Sequence, residues 1–471
     1  MSQAPEPASG KPSQTVESGL VQLCEWASNL RLEETPKEVL LKAALVLGDN
    51  IAATASAADE PQVQAYHDRL LTLDPGGPST LLRRGGPRLS MLHAALGNGL
   101  AITWNELDDG YTRTAVHPGA LSQPLILAAA QAQGHRFADV MRATVVAYEV
   151  GARFANTWPG TLPRIHPHGA FNAVCAAAGL ASLRRYDAAT FEAALSGAAT
   201  LVSPGPYSHA LQGALIRNAW PAAGVWLGHF ACEMAQLGIS GTATSAGEVY
   251  EQILGAAQTR ADQLSDGLGQ QWAVASGYHK LYGSCHHAHA AMEALESILQ
   301  DRPDLRAGRS VRRLIVQVSP SVMKFDNRQP TTALAAKFSI VHAVAATLAH
   351  GADEPSNFFE TSLSDPLIAH LRQRVTLTEL PHVKPWPCDR PAHVSLELDD
   401  GSQVQAFCEA ALGSPARPLG HEAVMDKITR LSSKHAPGLP HAVRQLREHV
   451  QQGRLDALDL GTWMDSITAA I

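Results

Sequence analysis

Residues 39–57 read VLLKAALVLGDNIAATASA. Apolar side chains fill nearly every position of the helical repeat, with only Lys42 and Asp49 charged. A helix apolar on most of its faces is a core helix, not one lying on a surface. The same texture recurs over 87–103, 121–134, 137–158 and 170–185, with a shorter mixed helix over 61–73. Over 187–202 a 3.6-residue stripe appears, with Asp187 placed as an N-cap. Ala and Gly dominate these segments, which permits close helix–helix approach. Short connectors fall at Gly134, Pro159-Gly160, Pro163 and Pro204-Gly205-Pro206.

Beyond Gly255 the pattern changes. Residues 309–319 and 373–379 alternate apolar and polar positions with β-branched enrichment, as strands do. Residues 392–410 place Asp399-Asp400-Gly401 between two alternating runs, a hairpin signal. Helices are expected over 288–299 and 332–350, and again from 420 to the end. The fold class is therefore mostly α. A large all-helical domain (18–270 and 417–471) accompanies a smaller α+β lid domain (271–416), with the C-terminal helices returning to the helical body. Residues 1–17 read as a disordered, Pro-rich tail.

Composition narrows the function. Apolar residues make up 45% of the 471 positions, enough for a sizeable core, while 17% charged is low and points to surface covered by a partner. The net charge of −7 gives no electrostatic footprint for nucleic acid or an anionic membrane. Six scattered cysteines without a CxxC pair suit a reducing, cytoplasmic setting. No phosphate loop or dinucleotide fingerprint is present.

Four stretches carry chemistry. Glu106-Leu107-Asp108-Asp109-Gly110-Tyr111 leads through Arg113 to His117-Pro118-Gly119, a dense set of titratable groups at the end of an apolar run. His166 and His168 open a helix, where the dipole favours a neutral imidazole suited to act as base. Arg217 begins a long apolar helix and either pairs with a local acid or clamps a carboxylate. Residues 278–289 hold Lys280, Cys285 and four histidines including His289. A metal site there is disfavoured, because His286 and His287 stand about 100° apart on a helix and no second ligand pair completes a set. Cys285 as a nucleophile is a further alternative, and a base or proton donor from Lys280 or a histidine fits the cluster better.

Taken in order, Leu47-Gly48-Asp49, Asn98-Gly99, the ELDDG run with His117-Pro118, Tyr148-Glu149-Val150, the His166 helix, Arg217-Asn218, Gly238-Ile239-Ser240-Gly241, Lys280 with Cys285 and His289, and Ala336-Lys337-Phe338-Ser339 resemble the MmgE/PrpD family. The resemblance runs from about residue 20 to the end. It implies a homodimer and an interdomain site needing neither metal nor organic cofactor. It also implies catalytic roles for His166, His117, Asp109 and Lys280, and substrate contacts from Glu106, Arg217, His289 and Phe325. Thr103, Gly110 and Phe325 depart from the residues of the decarboxylase branch, which has His, Thr and Tyr there. The expected activity is a lyase of dehydratase type that abstracts a proton α to a carboxylate of a small di- or tricarboxylate. Epimerisation stands second, decarboxylation third, and a non-catalytic carboxylate binder is the alternative of another class.

Overall fold

The computed structural model describes residues 15–159 and 164–469. Helix Lys37–Ser56 lies at the centre of the larger half, with Leu45, Val46, Leu47 and Ile51 buried. Each such side chain removed from water contributes roughly 1.5–3 kcal/mol before entropic costs. This helix is long and apolar enough to cross a membrane, but its most apolar window is 83% buried against the fold, as a core helix is. Around it pack Met91–Ala101, Pro118–Gln133 and Phe137–Thr157, and the C-terminal helices His421–Ser432 and Leu439–Gln452 close over its other side. Buried side chains from residues 16–274 and 424–467 share one core.

A second core joins side chains from residues 288–411 with Tyr207 and Ala210. Its four-stranded sheet runs Val375–Glu379, Val311–Val318, Ala392–Leu398, Gln403–Cys408, the first pair parallel and the others antiparallel. Helices His289–Asp301 and Ile340–His350 pack together in this core. The expected hairpin is present, with Gly401 at φ +85° in the turn. Asp187 caps Ala188–Thr200 by accepting from the Thr190 amide at 2.8 Å, as its position predicts.

Local chemistry redraws several boundaries. The helix expected from 87 begins only at Met91, because Arg88–Leu89 pairs as a strand with Ser79–Thr80. The helix expected over 332–350 breaks at Phe338. Thr332 caps Ala333–Lys337, and Ser339 starts Ile340–His350 by accepting from the His342 amide at 2.9 Å. The tail expected to reach residue 17 ends earlier, since a Thr15–Ser18 capping box starts a helix at Val16; residues 1–14 lie outside the described residues. Gly160 and Pro163 of the expected connectors lie outside them too. Within the helical half, Gly110–Tyr111 forms a short strand that pairs antiparallel with Gly277–Tyr278. That ladder brings the acidic run against the segment carrying Lys280.

A buried charge cluster reinforces this junction. Asp49 Oδ1 takes the Lys427 ammonium at 2.7 Å and its Oδ2 takes His279 Nδ1 at 2.7 Å. Lys427 also donates to the Leu107 carbonyl at 2.7 Å. Burial alone would raise the Asp49 carboxyl, but Lys427 and His279 hold it below the usual range. Lys427→Met leaves that carboxylate buried and under-compensated, so chemical denaturation is expected to show a loss of about 3–5 kcal/mol. Adding Asp49→Asn should restore part of it; equal stability for the wild type and the single variant is the contrary result.

Candidate active site

The run from Glu106 to His117 leaves its helix with strained backbone. Glu106 sits at φ +53° and Ala115 at φ +59°, a region costly for side chains other than glycine. Glu106 is held there by charge. Its Oε1 lies 2.6 Å from Arg217 Nη1 and its Oε2 lies 3.0 Å from Lys280 Nζ. Lys280 also donates to Asp108 Oδ1 at 3.3 Å, and Asp108 Oδ2 lies 2.6 Å from His117 Nδ1. All five side chains are at least nine-tenths buried except the edge of His117.

Burial opposes every charge here, and the partners prevail. Arg217 and Lys280 hold Glu106 below the usual carboxylate range. Lys280 and His117 do the same for Asp108, and Asp108 with Glu106 hold the Lys280 ammonium above its ordinary range. Two carboxylates face two cations, so the cluster is balanced without ligand.

The histidines differ in what they leave free. His117 Nδ1 is committed to Asp108 and, at 2.7 Å, to the Asp109 carbonyl, which leaves Nε2 as the accepting nitrogen. His166 Nδ1 accepts from the His168 amide at 3.2 Å, and its Nε2 lies 3.4 Å from Arg217 Nε. Burial and then the Arg217 charge keep His166 well below its ordinary range, and His168 likewise, so both rings are neutral.

A cavity is walled by Glu106, His117, His166, Arg217 and Lys280, with Tyr278, Cys285 and Arg390 among its other neighbours. Five of the eight expected site residues thus meet. Three do not line it. Asp109 was expected to be catalytic, but its Oδ1 accepts from Asn50 Nδ2 at 2.7 Å and from the Ala120 amide at 3.1 Å, so it caps helix Pro118–Gln133 behind His117. A Cβ at Gly119 would stand 2.7 Å from that oxygen, so only glycine permits the approach. His289, expected to bind substrate, is buried with Nε2 3.2 Å from the Ser284 carbonyl. Phe325, expected in the same role, packs one layer out against His287, Tyr207 and Phe338.

Four groups at this junction are not among the expected site residues. Asp108 was in view, but adjacency to Asp109 hid which carboxylate faces His117. His168 follows His166 in the quoted run. Tyr278 stands just before Lys280, and a Cβ at Gly110 would lie 2.5 Å from its Cε1 and 2.7 Å from its hydroxyl. The tyrosine therefore occupies the space that a larger residue at 110 would take. Arg390 has no sequence signal of its own. Burial raises the Cys285 thiol, so it stays protonated and the nucleophile alternative gains no support.

Asp108, His117 and His168 place ligand atoms within 4.8 Å of one another, the one such set among the described residues. The Lys280 ammonium already neutralises Asp108, which makes this a poor cation site. The histidines of 278–289 form no such set. A separate cavity, beside Leu107, Leu281, Lys337 and Phe358, receives none of the expected site residues.

A helical half and a sheet-bearing half that bury an acid–histidine–lysine–arginine cluster between them define the class. A model of the MmgE/PrpD N-terminal domain matches residues 21–258 and one of the C-terminal domain matches 282–452. The chain belongs to the MmgE/PrpD family. It is similar to a cis-aconitate decarboxylase of Aspergillus terreus, 24% identical over 436 residues that cover 87% of this chain and 88% of that one. It is also similar to the cis-aconitate decarboxylase-like protein oryM of Aspergillus oryzae, 25% identical over 445 residues, 88% and 90% of the two chains.

Burial raises the Asp109 carboxyl to about 6. The folded state therefore holds a proton that the unfolded chain has lost, and its stabilising share declines as pH rises from about 4 to about 6. Asp109→Asn, which cannot titrate, should gain on the wild type across that window by on the order of 2 kcal/mol in denaturation at several pH values. Parallel stability–pH curves would contradict the assignment.

Proposed function

We propose that this chain is a lyase that removes a proton α to a carboxylate in a small di- or tricarboxylate, with dehydration as its reaction and no metal or organic cofactor. The observation that carries this reading is the His117–Asp108 pair at 2.6 Å on the wall of the Glu106–Arg217–Lys280 cavity. His117 takes the proton on Nε2, and Asp108 stabilises the imidazolium through Nδ1. Arg217 and Lys280 offset the charge that develops on the substrate carboxylate, sharing their N–H groups with Glu106. Burial keeps the Tyr278 hydroxyl protonated, so it serves as the acid. The C–H electrons become the new double bond as the C–O bond breaks. The departing hydroxide leaves as water with the Tyr278 proton, and the tyrosinate recovers the proton held by His117.

The naming of the relatives as cis-aconitate decarboxylases favours decarboxylation as the second reading. There CO₂ leaves, and the same groups return a proton to the carbon. Incubation in D₂O with citrate, methylcitrate, cis-aconitate and iminodisuccinate separates the outcomes by NMR. An unsaturated product formed with loss of the α-proton signal supports the first reading, CO₂ release with solvent deuterium in the product the second, and exchange without net change an epimerase. His117→Ala should lower turnover by about 10²–10⁴-fold. Binding without turnover or exchange for any of these acids would leave a non-catalytic binder.

The same reading takes the chain as a homodimer. Trp226 and Phe230, one turn apart on helix Trp220–Gln236, are 50% and 43% exposed, and Leu237 and Ile239 continue the apolar surface. Light scattering should give twice the chain mass, falling to one chain for Trp226→Glu; a monomeric wild type would end this part of the proposal.

A further inference from the structure

Arg217 and Lys280 share their charge with Glu106 and Asp108, so the inner cluster leaves little positive charge for a second substrate carboxylate. The surplus lies further out. A wider cavity adjoins the inner one and shares Ala115, Tyr207, His287 and Arg390 with it. Arg113, Lys324 and Arg390 line this outer cavity, with Asp389 as its one carboxylate among the described residues.

Among the described residues Arg113 and Lys324 have no ion pair and Arg390 has only a long one, to Asp389. Arg390 donates to the Thr112 carbonyl and, at 3.4 Å, to His286 Nδ1, both uncharged groups. Its nearest carboxylate, Asp389, stands 3.8 Å from Nε, beyond hydrogen-bond distance. Lys324 lies 4.0 Å above the Tyr207 ring and 5.5 Å from Phe325, and among the described residues it forms no ion pair. Arg113 lies 5.7 Å over Trp386. Aromatic faces and carbonyls hold these groups in place, Arg390 half-buried and Arg113 and Lys324 exposed, and leave most of their charge available to an anion.

We propose that Arg390 and Lys324 form a second anion subsite at the junction of the two cavities, which takes a remote carboxylate of the substrate while its reacting end lies against His117. This inference rests on the polycarboxylate reading of the inner site and narrows it. The preferred substrate carries a carboxylate on an arm beyond the reacting carbons, and Arg390, supplied by the sheet-bearing half, selects for that arm.

Calorimetric titration of the full chain with propane-1,2,3-tricarboxylate and with succinate tests this, since the two differ by one carboxylate-bearing arm. Arg390→Gln and Lys324→Gln are each expected to weaken the tricarboxylate by about tenfold or more and to leave succinate within about threefold. Equal weakening of both acids by Arg390→Gln would make Arg390 a structural latch through Thr112 and overturn the subsite. Unchanged tricarboxylate affinity in both variants overturns it as well, with the inner-site reading intact. If neither acid binds the wild type, the polycarboxylate reading fails and takes the subsite with it. Lys324, exposed and bonded only to ring faces, provides the variant whose folding is least at risk.

Discussion

Glu106 holds the two halves of the molecule together through charge. Its carboxylate receives Arg217 from the helical half on one oxygen and Lys280 from the segment leading into the sheet-bearing half on the other. A buried carboxylate with either partner missing would be heavily penalised, so the arrangement persists only when both halves are in register. The left-handed backbone at Glu106 is the local cost of reaching both partners at once.

Other features of the junction follow from that constraint. The Gly110–Tyr278 pairing sets Lys280 two residues beyond a fixed strand, and Asp49 with Lys427 secures His279 on one side and Leu107 on the other. The residues flanking both members of the central ion pair are thereby tied to the central helix and to the C-terminal helix. The cavity is preorganised by groups that never touch it.

Asp108 and Asp109 show how neighbouring carboxylates divide their work. Both are fully buried, yet Asp108 faces Lys280 and His117 and remains ionised, while Asp109 faces amides at a helix start and is pushed up to about 6. One orients His117; the other fixes the helix that His117 begins. Gly110, next in the chain, is small because Tyr278 lies across it.

The helical texture was legible in the sequence, because a helix like 39–57 has no polar face and must be buried whatever surrounds it. So were the hairpin at 399–401, the cap at Asp187, and the ordered run of motifs that marks the family, since these depend on residues close in the chain. Glu106, His117, His166, Arg217 and Lys280 could be chosen as site residues from local density of titratable groups, and they do share one cavity. Tertiary structure alone decided that Asp108 and not Asp109 faces His117, that His289 and Phe325 stand away from the cavity, and that Tyr278 and Arg390 reach it. Those outcomes turn on side-chain direction, fixed at the junction by contacts between distant parts of the chain such as Asp108 with Lys280 and Gly110 with Tyr278, where a one-residue change of register reverses which group faces the cavity.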